Sequence, residues 1–301
     1  MNNIIEINRL TKYYNNTLAL DNLNLIVNEN EIYGLIGPDG AGKTTTIRSI
    51  CGMIKNYSGD IKVFGYNIKS YSENIKYSIG YLSQKFSLYG DLSVDENINF
   101  FAQIHNAVNY KALKVELLKK MNLLKFKDRL ANNLSGGMKQ KLSLICSVIY
   151  KPRLLLLDEP TTGVDPVSRR EFWDSLYELK NIGITILVST PYMDEAEKCD
   201  KLSLINNGKE LVTGNFSEIV KNFEFRLISI FSNELKKVKK ILSDKFEVQL
   251  FGEKLDILSS NIDIDIKDIE KMLLYHKVSY ELKIDVPSLE NIFLYLIKFS
   301  S

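Results

Sequence analysis

Cysteine and histidine are scarce in this chain of 301 residues, with three of the first and two of the second. Cys51, Cys146 and Cys199 are odd in number and far apart, which excludes a disulfide framework and a cysteine metal cage. Each reads as a small core hydrophobe in a reducing compartment. Long apolar runs are missing as well. No stretch approaches the roughly 18 residues that a membrane-spanning helix needs, and the opening MNNIIEINRL lacks the basic-then-apolar layout of a signal peptide. The expectation is a cytoplasmic protein, with a peripheral place on a membrane complex left open. Excess charge is absent too: a formal net charge of +2 gives no electrostatic case for nucleic acid as a partner. What is there, 45% hydrophobic and 25% charged residues, is an ordinary globular composition. The chain is long for one core, so two domains, or one with an appendage, are expected.

The chain is organised around Gly37-Pro38-Asp39-Gly40-Ala41-Gly42-Lys43-Thr44-Thr45, in which Gly37, Gly42, Lys43 and Thr44 satisfy the phosphate-loop spacing G-x-x-x-x-G-K-[ST]. Glycines let backbone N–H groups converge on phosphate oxygens, and a helix starting near Lys43 adds the positive end of its dipole. Lys43 is expected to reach the β and γ phosphates, the Thr44 hydroxyl to hold Mg²⁺, and the Thr45 hydroxyl to meet the α phosphate. The context fits, because residues 31–36 read as a buried strand and Ile47, Ile50 and Met53 recur at helical spacing after the loop.

Taken in order, residues 4–7 and 23–27 alternate as strands about a turn, Lys12-Tyr13-Tyr14-Asn15-Asn16. An aromatic side chain on that turn either stacks on a purine or covers a sheet edge. Residues 62–64 and 80–84 suggest further strands, the second ending at Gln84, which by itself reads as a solvent-facing polar residue. From about 86 to 152 the pattern is mostly helical, with a capping box at Ser93 and Glu96 and an apolar stripe at Leu113, Leu117, Leu118 and Met121. That stretch contains Leu134-Ser135-Gly136-Gly137-Met138 ahead of a long apolar run. Free N–H groups at a helix start beside a hydroxyl suit an anion, and a plain N-cap explains Ser135 equally well but does not require two glycines.

Leu154-Leu155-Leu156-Leu157-Asp158-Glu159-Pro160 is a continuous apolar run ending in two carboxylates, as a central parallel strand buried on both faces would be. Acidic residues at its carboxyl end would lie in the ligand crevice of an open α/β sheet. Asp158 is then placed to hold Mg²⁺ and Glu159 to polarise a water attacking the γ phosphate; the alternative is a pair of carboxylates capping the next helix. Residues 161–166 read as a turn, 168–180 as a helix with Trp173 in the core, and 185–189, 202–205 and 210–212 as strands. A helix over 217–222 leads out. The tail reads strand 225–231, helix 233–243, a hairpin about Gly252-Glu253, helix 266–275 and strand 278–284, an order that suggests a small ferredoxin-like module. A last helix follows Pro287-Ser288.

Over about residues 3–220 these pieces together resemble the ATP-binding cassette (ABC) ATPases. GPDGAGKTT matches Walker A, Gln84 the Q-loop, LSGGM the signature, LLLLDEP Walker B with its following glutamate, and GVDP the D-loop. The whole, with YLSQKFSLYGDLSVDEN and a C-terminal PSLENIF, looks most like the ATPase subunits of drug-exporter-type transporters that work with separate membrane permeases. The resemblance implies an α/β P-loop NTPase fold: a nucleotide-binding domain over 1–220 with a helical subdomain at about 86–150, followed by an accessory α+β domain over 221–301. It implies ATP and Mg²⁺ as ligands and Tyr14 stacked on adenine, with residues 37–45 around the phosphates. Lys43, Gln84 and Glu159 would be catalytic, and Thr44, Gln84 and Asp158 would lie at the metal. Ser135, Gly136 and Gly137 would then reach the γ phosphate held by a second cassette, in a homodimer or an asymmetric heterodimer. A place on the inner face of the cell membrane, beside a permease, follows from the same likeness.

One motif departs. A histidine is expected after Ser189-Thr190, and Pro191 stands there, with neither a side-chain donor nor an N–H. Losing one such donor typically costs on the order of 3 kcal/mol in a preorganised site. Two rival readings follow: a module that dimerises around nucleotide with little hydrolysis, and a soluble ABC ATPase with no role in transport.

Overall fold

A computed structural model of the chain describes residues 2–70, 75, 77–84 and 88–299. The first residues of the expected helical stretch, 86 and 87, and the chain ends lie outside the described residues. The chain divides into two compact units, Met1–Phe216 and Ser217–Ser301.

In the larger unit the strands are β1 (Asn3–Tyr14), β2 (Thr17–Asn28), β3 (Ile32–Ile36), β4 (Ser58–Val63), β5 (Tyr66–Asn67) and β6 (Ile79–Leu82). They continue with β7 (Leu154–Asp158), β8 (Thr185–Thr190), β9 (Lys201–Asn206) and β10 (Lys209–Gly214). One four-stranded sheet has the order β2-β1-β4-β5, and its pairings are antiparallel. The other, of six strands, runs β10-β9-β3-β8-β7-β6 and is parallel except for β10.

The sequences of β3, β7 and β8 explain their central place. Every residue of IYGLI, LLLLD and TILVST is buried, as a strand covered on both faces requires. Their side chains alternate between two cores. Leu155, Leu157, Ile186 and Val188 pack with Val94, Ile98, Leu117 and Leu142 of the helical stretch and with Trp173 of the helix Pro166–Asn181. Leu154, Leu156 and Leu187 face Ile5, Ile7, Leu25, Ile47 and Ile50, which come from the antiparallel sheet and the helix after the phosphate loop. Because β3, β6, β7 and β8 are parallel, their carboxyl ends share one edge. The loops leaving that edge carry Gly37–Thr45, Gln84, Glu159 and Pro191, the arrangement in which open α/β sheets bind ligands.

Several boundaries differ from those read in the sequence: the strand read as 62–64 runs Ser58–Val63, the helix read as 266–275 runs Ile262–Tyr275, and the strand read as 278–284 runs Glu281–Asp285. Lys12, Tyr13 and Tyr14 belong to the end of β1, and the turn is Asn15-Asn16 alone. Positive φ at Arg9 and Asn22, with register shifts between the two strands, interrupts the alternation that would reveal their full length. The helix expected from 168 starts at Pro166 and runs Pro166–Asn181, because Asp165 is its N-cap and accepts from the Val167 and Ser168 amides. The capping box at Ser93 is present in both directions, Glu96 N to Ser93 Oγ and Ser93 N to Glu96 Oε2.

The smaller unit contains β11 (Arg226–Phe231), β12 (Gln249–Phe251), β13 (Lys254–Ser259) and β14 (Glu281–Asp285), paired antiparallel in the order β12-β13-β11-β14. Helices Leu235–Leu242 and Ile262–Tyr275 supply Val238, Leu242, Ile269 and Leu273 to a core with Ile228, Ile230, Leu255 and Ile257. Strand order and connections are those of a ferredoxin-like split βαβ unit. A terminal helix, Leu289–Phe299, follows.

Candidate functional site

The chain leaves β3 at Ile36, crosses the glycine-rich loop and enters the helix Lys43–Ile50. The glycines are required by geometry at two points. Gly42 caps the helix at φ +104°, and a Cβ there would lie 2.7 Å from Leu20 Cδ2 and 2.8 Å from the Ala19 carbonyl oxygen. At Gly37 a Cβ would lie 2.2 Å from the Ile205 carbonyl oxygen. A cleft of about 310 Å³ opens over this loop, lined by Tyr14, Ala19, Asp39, Gly40, Gly42, Lys43, Thr44, Thr45, Gln84 and Glu159. Four segments remote in sequence thus meet at one concavity: the β1–β2 hairpin, the phosphate loop, Gln84 and Glu159. Tyr14 is 46% exposed at its rim, with the Lys12 ammonium over its ring at 4.8 Å from the centroid.

Buried charge organises the floor. Lys43 Nζ donates to the carbonyl oxygens of Gly37 at 2.7 Å and Pro38 at 2.9 Å, and lies 3.0 Å from Glu159 Oε1. These three contacts use every donor of the ammonium. Glu159 Oε2 accepts from Gln84 Nε2 at 2.9 Å and from Thr162 Oγ1 at 3.4 Å. A continuous polar bridge therefore runs from Lys43 through Glu159 to Gln84 across the cleft. Its carboxylate occupies the ammonium that a phosphate would seek.

Asp158, last in β7, is fully buried. Its Oδ1 accepts from Thr44 Oγ1 and Ser189 Oγ, each at 3.0 Å, while Oδ2 is buried with no hydrogen-bond partner. Burial raises its carboxyl above the ordinary range, against the lowering effect of those two hydroxyls. A buried carboxylate oxygen without a donor is what a hard cation or its bound waters would satisfy. The neighbouring Thr44 and Gln84 add only oxygen ligands, a set suited to Mg²⁺. The residues present therefore fit the metal: Thr44 and Asp158 would hold it, with Gln84 beside them, and it would neutralise charge on phosphate oxygens.

Ser135, Gly136 and Gly137 lie elsewhere and are not among the residues lining the cleft over Lys43. Ser135 caps the helix Gly136–Val148, accepting from the Met138 amide at 3.3 Å. Gly137 has a packing reason, since a Cβ would come within 2.5 Å of Ser168. Gly136 has none: it is exposed, and a Cβ there would meet nothing. Pro191 follows Thr190 at the end of β8, at the same edge as the acidic pair. Just beyond it, Glu195 is wholly buried and its Oε1 accepts from Thr161 Oγ1, Arg169 Nε and Trp173 Nε1. Trp173 is thus both a core residue and a donor.

Sequence reasoning missed Ser189, Thr162 and the Glu195 cluster. Ser189 and Glu195 are polar residues in an apolar strand and a short turn, and no spacing rule marks them. Their partners come from other elements.

Comparison with known proteins gives a consistent set of likenesses. A family description, "ABC transporter", matches residues 20–162. The chain is 40% identical over 215 residues to the "Probable multidrug ABC transporter ATP-binding protein YbhF" of Escherichia coli (strain K12), covering 70% of this chain and 37% of that protein. It thus spans little more than a third of that relative's length. It is 32% identical over 299 residues to the "Uncharacterized ABC transporter ATP-binding protein YhaQ" of Bacillus subtilis (strain 168), covering 97% of each. Among solved structures, an "ATP binding subunit of ABC transporter" superposes with a TM-score of 0.67 at 28% identity, covering 73% of this chain and 93% of that one.

Proposed function

The chain belongs to the ABC transporter family as an ATPase subunit, and from that premise we propose that it powers an exporter by working with a separate transmembrane permease. The observation that carries this reading is the bridge Lys43–Glu159–Gln84 over a glycine loop, with Thr44 and Asp158 beneath it. Each group has a task there. Lys43 and the loop amides would take the phosphates, Tyr14 would stack on the base, and Glu159 would orient and polarise the attacking water. Gln84 would report to the helical stretch, which begins beyond it in the chain, whether the carboxylate and the metal are in place. Ser135, Gly136 and Gly137 would close a second copy's site. An exposed glycine that packs against nothing supports that role, since a surface that must be approached closely has a reason to lack a side chain. The likeness to a multidrug transporter's ATP-binding protein supports the export direction.

Pro191 favours one qualification. A site without that donor would turn over on the order of 10²- to 10³-fold more slowly. This chain's Lys43 site would then be the weaker one, and its signature residues would serve a competent site on a partner cassette that keeps the histidine. The same residue favours a second reading, a nucleotide-dependent dimerisation module with little hydrolysis of its own. Phosphate release by the purified chain, with Pro191→His beside it, separates the two: a histidine that restores turnover supports an impaired motor, and two equally inert proteins support the module. Brisk parent turnover unchanged by the histidine removes the case for an asymmetric partner. Pull-down from membranes, with identification of what binds, tests the permease. The smaller unit is proposed to assist dimerisation or docking, which deletion of residues after 222 would test through dimer formation and permease capture.

A further inference from the structure

Asp158 and Glu159 are consecutive, yet they serve different parts of the site, and one residue on the neighbouring strand keeps them apart. Asp158 pairs with Ser189 across the parallel ladder of β7 and β8. One step on, the backbone of Glu159 turns to φ +50°, a left-handed conformation disfavoured for any residue with a Cβ. Such a bend persists only where its surroundings hold it. Ser189 holds it twice: the Glu159 amide donates to the Ser189 carbonyl oxygen at 3.2 Å and to the Ser189 hydroxyl oxygen at 3.0 Å. That hydroxyl in turn donates to Asp158 Oδ1 at 3.0 Å. A single O–H group therefore ties the bent amide to the carboxylate, accepting through a lone pair and giving its own proton. Thr44 donates to the same Oδ1, so both donors converge on one oxygen and Oδ2 is left buried without a partner. Ser189 is 0% exposed, so its hydroxyl bonds within the protein.

We infer that Ser189 is the positioning residue of the acidic pair, fixing the Asp158 carboxylate so that Oδ2 is the oxygen left for a divalent cation, and fixing the bend that aims Glu159. It touches neither nucleotide nor metal and acts through its two neighbours. The inference rests on the nucleotide-site reading above. The test uses the full chain and two measurements: Mn²⁺ affinity of the ADP complex by electron paramagnetic resonance, and metal-free ADP affinity by calorimetry. Ser189→Ala should weaken Mn²⁺ by about 10- to 100-fold, the usual effect of losing a group that orients a ligand, and leave metal-free ADP binding unchanged. Ser189→Thr, which keeps the hydroxyl, should restore the metal affinity. Should the alanine variant fail to fold, Ser189→Cys, with its weak S–H donor, should give an intermediate loss. Unchanged Mn²⁺ affinity in Ser189→Ala overturns the inference, as does an equal loss of metal-free ADP binding, which would mark a general disturbance of the loop. A parent that binds no ADP would instead remove the nucleotide reading, and this inference with it.

Discussion

Replacing Glu159 with Gln should make the dilute protein bind nucleotide more tightly. Lys43 Nζ lies 3.0 Å from Glu159 Oε1, with side chains only 3% and 6% exposed, so a phosphate that seeks the ammonium must first displace an internal anion. The Lys43 ammonium would still donate to the amide oxygen of Gln, a hydrogen bond to a charged group worth about 1.5–3 kcal/mol net, whereas close charge pairs couple by about 1.5–7 kcal/mol. What is lost is the acceptor's charge, so Gln should be the weaker competitor by about 1 kcal/mol or more, at least about fivefold in Kd. The gain concerns the binding step alone, because hydrolysis should fall when the carboxylate is lost. Calorimetric titration with ADP, at protein concentrations too low for dimers, reads the effect without turnover or closure of a second copy. Glu159→Ala should shift the affinity in the same direction, since it removes the same charge. Binding that is unchanged or weaker in both variants would refute the reasoning and mean that the Lys43–Glu159 contact does not compete with phosphate.

Arg169→Met should destabilise the larger unit by about 3–5 kcal/mol, because Glu195, fully buried, would keep an uncompensated charge. Adding Glu195→Gln should recover most of that loss, and urea unfolding of the single and double variants checks both. Acid should weaken the fold through two helix caps. The Ser93 amide, then its hydroxyl, holds Glu96 below its ordinary range, and the Ser168 amide chiefly does the same for Asp165. Folded values below the unfolded ones of about 4.3 and 3.9 mean that this stabilisation is complete above those values and is lost as pH falls through the folded ones. Glu96→Gln with Asp165→Asn keeps both caps, so it should leave the unfolding midpoint at neutral pH nearly unchanged and flatten its decline below about pH 4. An identical acid decline in the double variant would contradict this.

The parts of the fold legible in the sequence are those specified by near neighbours. The phosphate loop, the capping box at Ser93 and the wholly apolar strand β7 each state their structure within a few residues. β1 and β2 do not, because Arg9 and Asn22 take positive φ inside them and break the alternation. The helix start at Pro166 was available in the Asp-Pro pair and was obscured by reading 161–166 as one turn. The candidate site divides in the same way. Lys43, Thr44, Asp158 and Glu159 stand in local motifs whose spacing has a chemical reason. That Glu159 would lie on Lys43 and Gln84, and that Ser189 would clamp the acidic pair, depends on parallel strands meeting at one sheet edge, and no local pattern encodes that meeting.

Titration of the parent and of Lys43→Ala with Mg-ATP tests the central claim most directly. The account predicts that the parent binds and that removing the ammonium, a buried charged partner, weakens the complex by about 2–5 kcal/mol, or at least about 30-fold in Kd. Equal Kd values for the two proteins would contradict it.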